Sequence, residues 1–206
     1  MIIITDGISV TNLSINISKK ILFTVALASV LAGCANIVEH KTRIFKGENL
    51  ITPYSGFLSG WRLLIEDKEN YHSRMWQHPV HGFNDAYVVS VSTPERKALS
   101  QIRSVIDMPG YNSCVKFSTL TLTLSSTSNS SYPSELWQTY CKKKDGSEAK
   151  ILHLILQGQD SFYHVQKIWQ GYIVAQEITE WQERFQKIYL CDSRVDKSTC
   201  PEIPRE

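Results

Sequence analysis

The sequence predicts an α+β domain in which an antiparallel β-sheet of about five or six strands carries two amphipathic helices and is held by two disulfides. Segments rich in β-branched and aromatic residues alternate with short turns between positions 115 and 169, as in the hairpins of an antiparallel sheet. Two other segments carry apolar residues at helical spacing. Hairpin-joined strands with separate helices are typical of the α+β class.

The first half of the predicted domain contains two strands and one helix. Residues 61–66 and 86–91 are rich in the residue types that strands prefer. Thr93 suits the N-cap of the following helix, because its hydroxyl can accept a backbone N–H, and Pro94 suits the first helical position. The pair Pro109-Gly110 predicts the end of this helix.

The second half of the predicted domain is a four-stranded meander followed by a helix. Asp145-Gly146 predicts a tight hairpin, because both central residues of a type I′ turn need positive φ. Thr179 and Gln182 match the capping-box spacing at the start of the second helix. The predicted strands are 115–124, 136–143, 151–156 and 162–169, and the apolar helix face consists of Trp181, Phe185, Ile188 and Tyr189.

An uncharged apolar run, residues 21–33, follows two lysines near the N-terminus. A membrane-spanning helix needs roughly 20 apolar residues, so this run fits a secretory signal peptide better. Its end, Leu31-Ala32-Gly33-Cys34, resembles the lipobox of bacterial lipoproteins. The alternative is an ordinary secretory signal followed by a chance cysteine.

The resemblance to lipoproteins implies an organisation for the whole chain. Cleavage before Cys34 would remove a signal peptide, residues 1–33, of which 1–18 are interpreted as an over-extended start. Lipid on Cys34 would then anchor the chain in a membrane. The residue after Cys34 is Ala35 rather than Asp, which by resemblance favours the outer membrane, on its periplasmic face. Residues 34–55 are predicted to be a lipidated N-terminus and tether, and 56–206 a single periplasmic domain.

The charge balance of the predicted mature chain gives no sign of nucleic-acid binding. Removing residues 1–33 takes away two lysines and one aspartate, which leaves 20 basic and 19 acidic residues. Nucleic-acid-binding domains are usually strongly basic, so no nucleic-acid partner is predicted. The expected partners are a membrane, reached through lipidated Cys34, and another protein.

The four cysteines that follow Cys34 are an even number, which in an exported chain predicts disulfides. Four cysteines allow three pairings. Cys191 and Cys200 enclose a short polar loop, which favours their pairing and leaves Cys114 to pair with Cys141. A zinc site is the rival interpretation, but no Cys-x-x-Cys pair supports it.

The densest polar cluster is a candidate metal site. His72, His78, His81 and Asp85 lie within fourteen residues, and imidazole and carboxylate are ligands that zinc and copper accept. Their spacing matches no known metal motif, and Pro79 excludes a helix that presents two of the histidines. The alternative is a loop or strand pair with surface histidines and with Trp76 and Phe83 packed inward.

No sequence motif assigns a catalytic activity or a cofactor. The sequence contains no phosphate-binding loop, no dinucleotide fingerprint and no Gly-x-Ser-x-Gly motif. An enzyme is therefore the less favoured class, and no cofactor is predicted.

Two strand tryptophans, Trp137 and Trp169, are candidate partner-binding residues, because aromatic side chains on an open sheet face are typical interface anchors. The alternative is that they pack under the helices.

The favoured function is that of a lipid-anchored periplasmic protein that binds another protein. In its specific form, this protein is an immunity lipoprotein against a periplasmic antibacterial toxin. The alternatives are a structural or envelope-assembly lipoprotein, and a hydrolase or metal-binding enzyme that uses His72–His81.

Replacing Cys34 tests the predicted anchor. Cys34→Ser removes the thiol that would carry lipid, so this variant should incorporate no labelled palmitate and should leave the membrane fraction. Asn36→Ser, two residues away, is the matched control and should behave as wild type. The prediction would be contradicted if the Cys34→Ser variant still sedimented with outer membranes and the wild type incorporated no labelled palmitate.

Overall fold

The computed structural model describes residues 46–52, 58–124, 132–171, 174–194 and Cys200. The predicted signal peptide and Cys34 lie outside the described residues. The described residues form two helices, α1 (Leu99–Ser113) and α2 (Ala175–Phe185). The strands are β1 (Glu48–Ile51), β2 (Arg62–Lys68), β3 (Tyr71–His78), β4 (Gly82–Ser92), β5 (Lys116–Leu122), β6 (Ser134–Lys142), β7 (Glu148–Gln157), β8 (Phe162–Gln170) and β9 (Tyr189–Asp192).

The main sheet consists of two antiparallel meanders that meet in its middle. Its strand order is β2-β3-β4-β8-β7-β6-β5, and every neighbouring pair is antiparallel. Strands β2 to β4 form the first meander and β5 to β8 form the second. The last strands of the two meanders pair with each other, with Val89 opposite Val165. Helix α1 connects the end of the first meander to the outer edge of the second.

The two helices cover opposite faces of this sheet. Neighbouring residues of a strand point to opposite faces, so β7 separates two sets of apolar side chains. Leu154, on one face, belongs to the main core with residues of α2. Ile155, on the other face, packs with Ile102 of α1. Strand β7 is apolar on both faces because a helix packs on each side of the sheet.

The small sheet formed by β1 and β9 packs against the α2 side of the main core. Leu50 and Leu190 are directly opposite each other in this sheet, and both contact the main core. The carboxylate of Glu48 accepts hydrogen bonds from the backbone N–H groups of Gln159 and Asp160, in the turn between β7 and β8. These contacts tie the small sheet to the larger one.

Both disulfides have the pairing that the sequence favoured. Cys114 follows α1 and is bonded to Cys141 of β6, with their Cα atoms 5.4 Å apart. Cys191 of β9 is bonded to Cys200, with a Cα distance of 5.2 Å. The prediction of two disulfides, Cys114–Cys141 and Cys191–Cys200, is confirmed.

The α+β class is confirmed, but the predicted count of five or six strands was too low. The described residues contain nine strands in two sheets. Strand β3 is rich in polar residues, and β1 and β9 have four residues each, so none carries a clear apolar alternation. Because β1 lies within the predicted tether, 34–55, residues Glu48–Ile51 of that segment belong to the fold.

Helix α1 differs from its prediction at both ends. It begins after Ala98 rather than after Thr93, and Pro109 lies inside it. Gly110 does not end the helix either. A Cβ at this glycine would lie 2.1 Å from the ring of Phe117, so the glycine allows α1 to approach β5 closely.

Helix α2 starts four residues earlier than the predicted capping box. Its N-cap is Val174, with no side-chain hydrogen bond, and Thr179 lies within the helix, where its hydroxyl donates to the carbonyl of Ala175. The predicted burial of Trp181 and Phe185 on one face is confirmed. Within the described part of the chain, neither helix is long and apolar enough to cross a membrane.

A stack of three aromatic rings lies on the α1 side of the sheet. The ring centroids of Trp137 and His153 are 4.7 Å apart, and those of His153 and His164 are 5.4 Å apart, with nearly parallel planes. Burial lowers the pKa of His164 to about 4 and holds the pKa of His153 well below its usual range. Both imidazoles are therefore neutral at pH 7.

This stack should make the fold sensitive to mild acid. A free histidine has a pKa near 6.5, so between about pH 6.5 and 4 the unfolded chain binds more protons than the folded one. The free energy of unfolding should therefore fall as the pH decreases through this window, by about 3 kcal/mol for His164. Urea unfolding at several pH values measures the slope, and His164→Gln should reduce it. An equal slope in both proteins would contradict the prediction.

Candidate functional site

A fully buried lysine, Lys167, lies on the α2 side of the main sheet. It is in β8, where Tyr163, Val165 and Trp169 share its face. Its ammonium donates a hydrogen bond to the carboxylate of Asp85, which lies on the neighbouring strand β4. A buried charge is costly unless it is paired, and this contact supplies the partner.

A second carboxylate approaches the ammonium from the helix above. Glu177 lies in the first turn of α2, with its Oε1 3.7 Å from the Nζ of Lys167. The same carboxylate accepts a hydrogen bond of 3.0 Å from the indole Nε1 of Trp169. Glu177 therefore connects the helix to the lysine and to one of the rings around it.

Three indole rings surround the ammonium. Its Nζ lies 4.8, 4.9 and 5.2 Å from the ring centroids of Trp169, Trp181 and Trp61, respectively. An ammonium at this distance from an indole face is attracted by the ring quadrupole, most strongly where water is excluded. Burial nevertheless lowers the pKa of Lys167 to about 7, against the opposing effect of Glu177. The group around Lys167, with Asp85, Glu177 and these three tryptophans, is called the lysine cage.

A cavity of about 520 Å³ opens beside the lysine cage. This volume is within the range of ligand-binding clefts. It lies where the hairpin between β3 and β4, the end of β8 and the start of α2 come together. The residues that line it are Trp61, His78, His81, Asn84, Asp85, Trp169, Gln170, Gly171, Val174, Glu177, Glu180, Trp181 and Arg184.

Two histidines form one side of the cavity. The rings of His78 and His81 stack with their centroids 4.7 Å apart, and Trp61 meets His78 edge-on at 5.2 Å. The Nδ1 of His78 accepts backbone N–H groups from Val80 and His81 across the hairpin turn. Burial and the neighbouring His81 lower the pKa of His78, so its ring is a neutral acceptor at pH 7.

Three of the four predicted metal-site residues line this cavity, and one does not. His78, His81 and Asp85 meet there. His72 lies six residues from His78 along β3, roughly 20 Å away at the rise of a strand, and its Nδ1 is hydrogen-bonded to Asp67. His72 therefore does not converge with the other three. Among the described residues, no three His, Cys, Asp or Glu side chains are placed to hold a metal ion.

The predicted exposure of Trp137 and Trp169 is wrong. Trp137 is fully buried under α1, where its Nε1 donates to Asp107, and Trp169 is only 2% exposed. The error arose because two helices on opposite faces bury more of the sheet than two helices on one face. The alternative interpretation of the polar cluster placed Trp76 and Phe83 inward: Trp76 packs against the main core, but Phe83 is 64% exposed.

Sequence reasoning missed Lys167, Glu177 and Trp61 as members of a site. One signal for the lysine was present: it is the single charged residue on the strand face that it shares with Tyr163 and Trp169. A lysine on an otherwise apolar strand face indicates a buried, paired charge. Its partners come from distant segments, so no local pattern indicated them.

Comparison with known proteins adds no assignment. No protein-family model matches the chain, and no curated protein is similar enough to count as a match. The function is therefore argued from the site itself.

Removing one charge of the lysine cage should destabilise the fold more than removing two. Lys167→Met leaves the buried Asp85 carboxylate without its partner, which typically costs about 3–5 kcal/mol. Adding Asp85→Asn removes the unpaired charge, so the double variant should recover part of this loss. Urea unfolding of both single variants and the double variant measures the coupling. Lys187→Met, at an exposed position, is the control, and additive losses would contradict the predicted pairing.

Proposed function

We propose that this chain is a lipoprotein, anchored through Cys34 on the periplasmic face of the outer membrane, whose folded domain binds another protein. The lipobox-like segment that ends at Cys34 supports the anchor. The two disulfides support export, because disulfides persist mainly in oxidising compartments such as the periplasm.

The observation that carries the binding proposal is a set of exposed apolar side chains around the cavity. Val80, in the hairpin turn between the two cavity histidines, is 79% exposed, and Phe83 is 64% exposed. Val174, at the start of α2, lines the cavity and is 42% exposed. Exposed apolar groups beside an aromatic-lined cavity are typical of protein interfaces, in which a partner side chain fills the cavity.

The polar groups of the cavity favour a partner side chain of mixed character. Its wall combines the indoles of Trp61 and Trp181 with carboxylates of Glu177 and Glu180 and the guanidinium of Arg184. Arg184 lies 3.7 Å from Glu180 and over the ring of Trp181, so the rim carries both signs of charge. An aromatic wall with a polar rim resembles the centre of a binding hot spot.

In its specific form, the proposal is that the partner is an antibacterial toxin that reaches the periplasm, and that the chain neutralises it. A membrane-anchored compact domain with a protein-binding surface suits that role. An envelope-assembly partner is the alternative within the same class. The identity of the protein encoded beside this gene distinguishes the two forms.

One observation favours a second candidate, a hydrolase. His78, His81 and Asp85 line one cavity beside Lys167, whose pKa is lowered to about 7, and perturbed titratable groups cluster at catalytic sites. The double variant His78→Ala and His81→Ala separates the candidates. A hydrolytic activity that uses these rings would be present in the wild type and abolished in the double variant, whereas a binding protein shows no turnover in either.

The test of the binding proposal is Phe83→Glu in the full chain. It places a charge in the proposed interface, so affinity for the purified protein encoded beside this gene should fall at least tenfold, and protection of cells against that protein should be lost. Phe83 is exposed, so the melting temperature should not change.

Tyr111→Glu is the matched control, because Tyr111 is 63% exposed on α1, which covers the opposite face of the sheet. This variant should keep wild-type affinity and protection. Equal affinities of the two variants for the toxin, or no binding by the wild type, would overturn the proposal.

A further inference from the structure

The outer edge of β2 is an open strand edge with an apolar side. β2 is at the end of the main sheet and pairs only with β3 among the described strands. Six of its seven residues are exposed, including Leu63 at 44% and Ile65 at 59%. A seven-residue edge that pairs with no further strand among the described residues, and that carries exposed apolar side chains, is a template for another strand.

We propose that a second copy of this chain pairs with β2 in an antiparallel arrangement, so that two sheets join across a twofold axis. A twofold axis perpendicular to the sheet keeps each face continuous between the copies. Residues directly opposite each other must then belong to the same face. On the α2 side these residues are Leu63 and Ile65, and on the α1 side they are Arg62, Leu64 and Glu66.

One register makes β2 complementary to itself. With Leu64 on the twofold axis, Leu63 of each copy lies opposite Ile65 of the other. Arg62 of each copy lies opposite Glu66 of the other. The apolar pair and the opposite-charge pair each occur twice by symmetry, and such cross-strand pairs are the ones that stabilise sheets.

The neighbouring register on the same faces is unfavourable. With Ile65 on the axis, Arg62 would lie opposite Lys68, which places like charges together. Leu64 would lie opposite Glu66, and Leu63 opposite Asp67. The charge pattern of β2 therefore favours the register with Leu64 on the axis over the register with Ile65 on the axis.

The charged groups of β2 are free to make this contact. The Oε1 of Glu66 lies 2.6 Å from the Nζ of Lys68, but both side chains are more than half exposed. An exposed ion pair contributes little stability, so Glu66 can leave Lys68 and pair with Arg62 of the second copy at little cost. Asp67 is held on the other face by Arg74 and His72. The opposite edge strand, β5, has one charged residue, Lys116, and so offers no opposite-charge pair to a second copy.

The pairing is tested by cross-linking through position 64. Cys introduced by Leu64→Cys would face its symmetry mate within disulfide reach. In cells that express the full chain, mild oxidation with copper phenanthroline should then give a covalent dimer on a non-reducing gel. Lys68→Cys is the matched control, because in this register position 68 lies opposite Gly60 and far from its own copy. The chain without an introduced cysteine should give no dimer.

Charge reversal in the Leu64→Cys background tests the register. Arg62→Glu should lower the cross-linked fraction at least fivefold, because two attractive pairs become repulsive. Glu66→Arg should have the same effect, and the combination of both changes should restore at least half of the dimer. Glu183→Arg, at an exposed position of α2, should change nothing, and unchanged melting temperatures should show that each variant folds.

Several results of these experiments would overturn the proposal. No dimer with Leu64→Cys, or equal dimer with Lys68→Cys, would show that β2 does not pair in this way. Single charge reversals without effect, or no recovery in the combination, would exclude the register. Open-ended pairing of β2 with β5 would place position 64 against β5 instead of its own copy, so it would also give no Leu64→Cys dimer. A partner-binding defect at Phe83 has no bearing on these outcomes, because the dimer does not depend on the proposed function.

Discussion

The buried ammonium of Lys167 is the constraint on which the α2 side of the fold depends. Its partners come from three separate segments: Asp85 from the first meander, Trp169 from β8 and Glu177 from α2. A lysine at this depth is tolerated only when its charge is paired, so the contacts join the two halves of the sheet and the helix. The cavity beside the lysine cage follows from this convergence, because the same residues form its floor.

The α1 side uses the same chemistry with different residues. The guanidinium of Arg103 lies 5.3 Å from the ring centroid of Trp137 and 3.5 Å from Asp107, and it also bonds to Glu135. Each helix is thus held to the sheet by a cation, an indole and a carboxylate as well as by apolar packing. The two clusters explain why Trp137, Trp169 and Trp181 are buried.

The exposed apolar residues are not spread evenly over the molecule. Val80, Phe83 and Val174 belong to the hairpin and helix start beside the cavity, and Leu63 and Ile65 belong to a sheet edge. A third group lies on or beside α1 and β5: Val105, Met108, Tyr111, Val115 and Leu120. A concave aromatic site suits a partner side chain, and an open edge suits another strand. We therefore propose separate roles for the cavity and the β2 edge, the first for a different protein and the second for a second copy.

The sequence by itself determined the α+β class, the disulfide pairing and most elements of the second meander, because strong alternation, turn residues and cysteine spacing are local signals. It failed for β1 and β9, whose four residues each become a sheet only through pairing between distant ends of the chain. It predicted that His78, His81 and Asp85 lie together, but it wrongly included His72. His72 and His78 are close in sequence, yet the extended strand β3 holds them far apart. Only the tertiary structure decided that Lys167 is buried and Phe83 exposed, because burial is set by which face each helix covers.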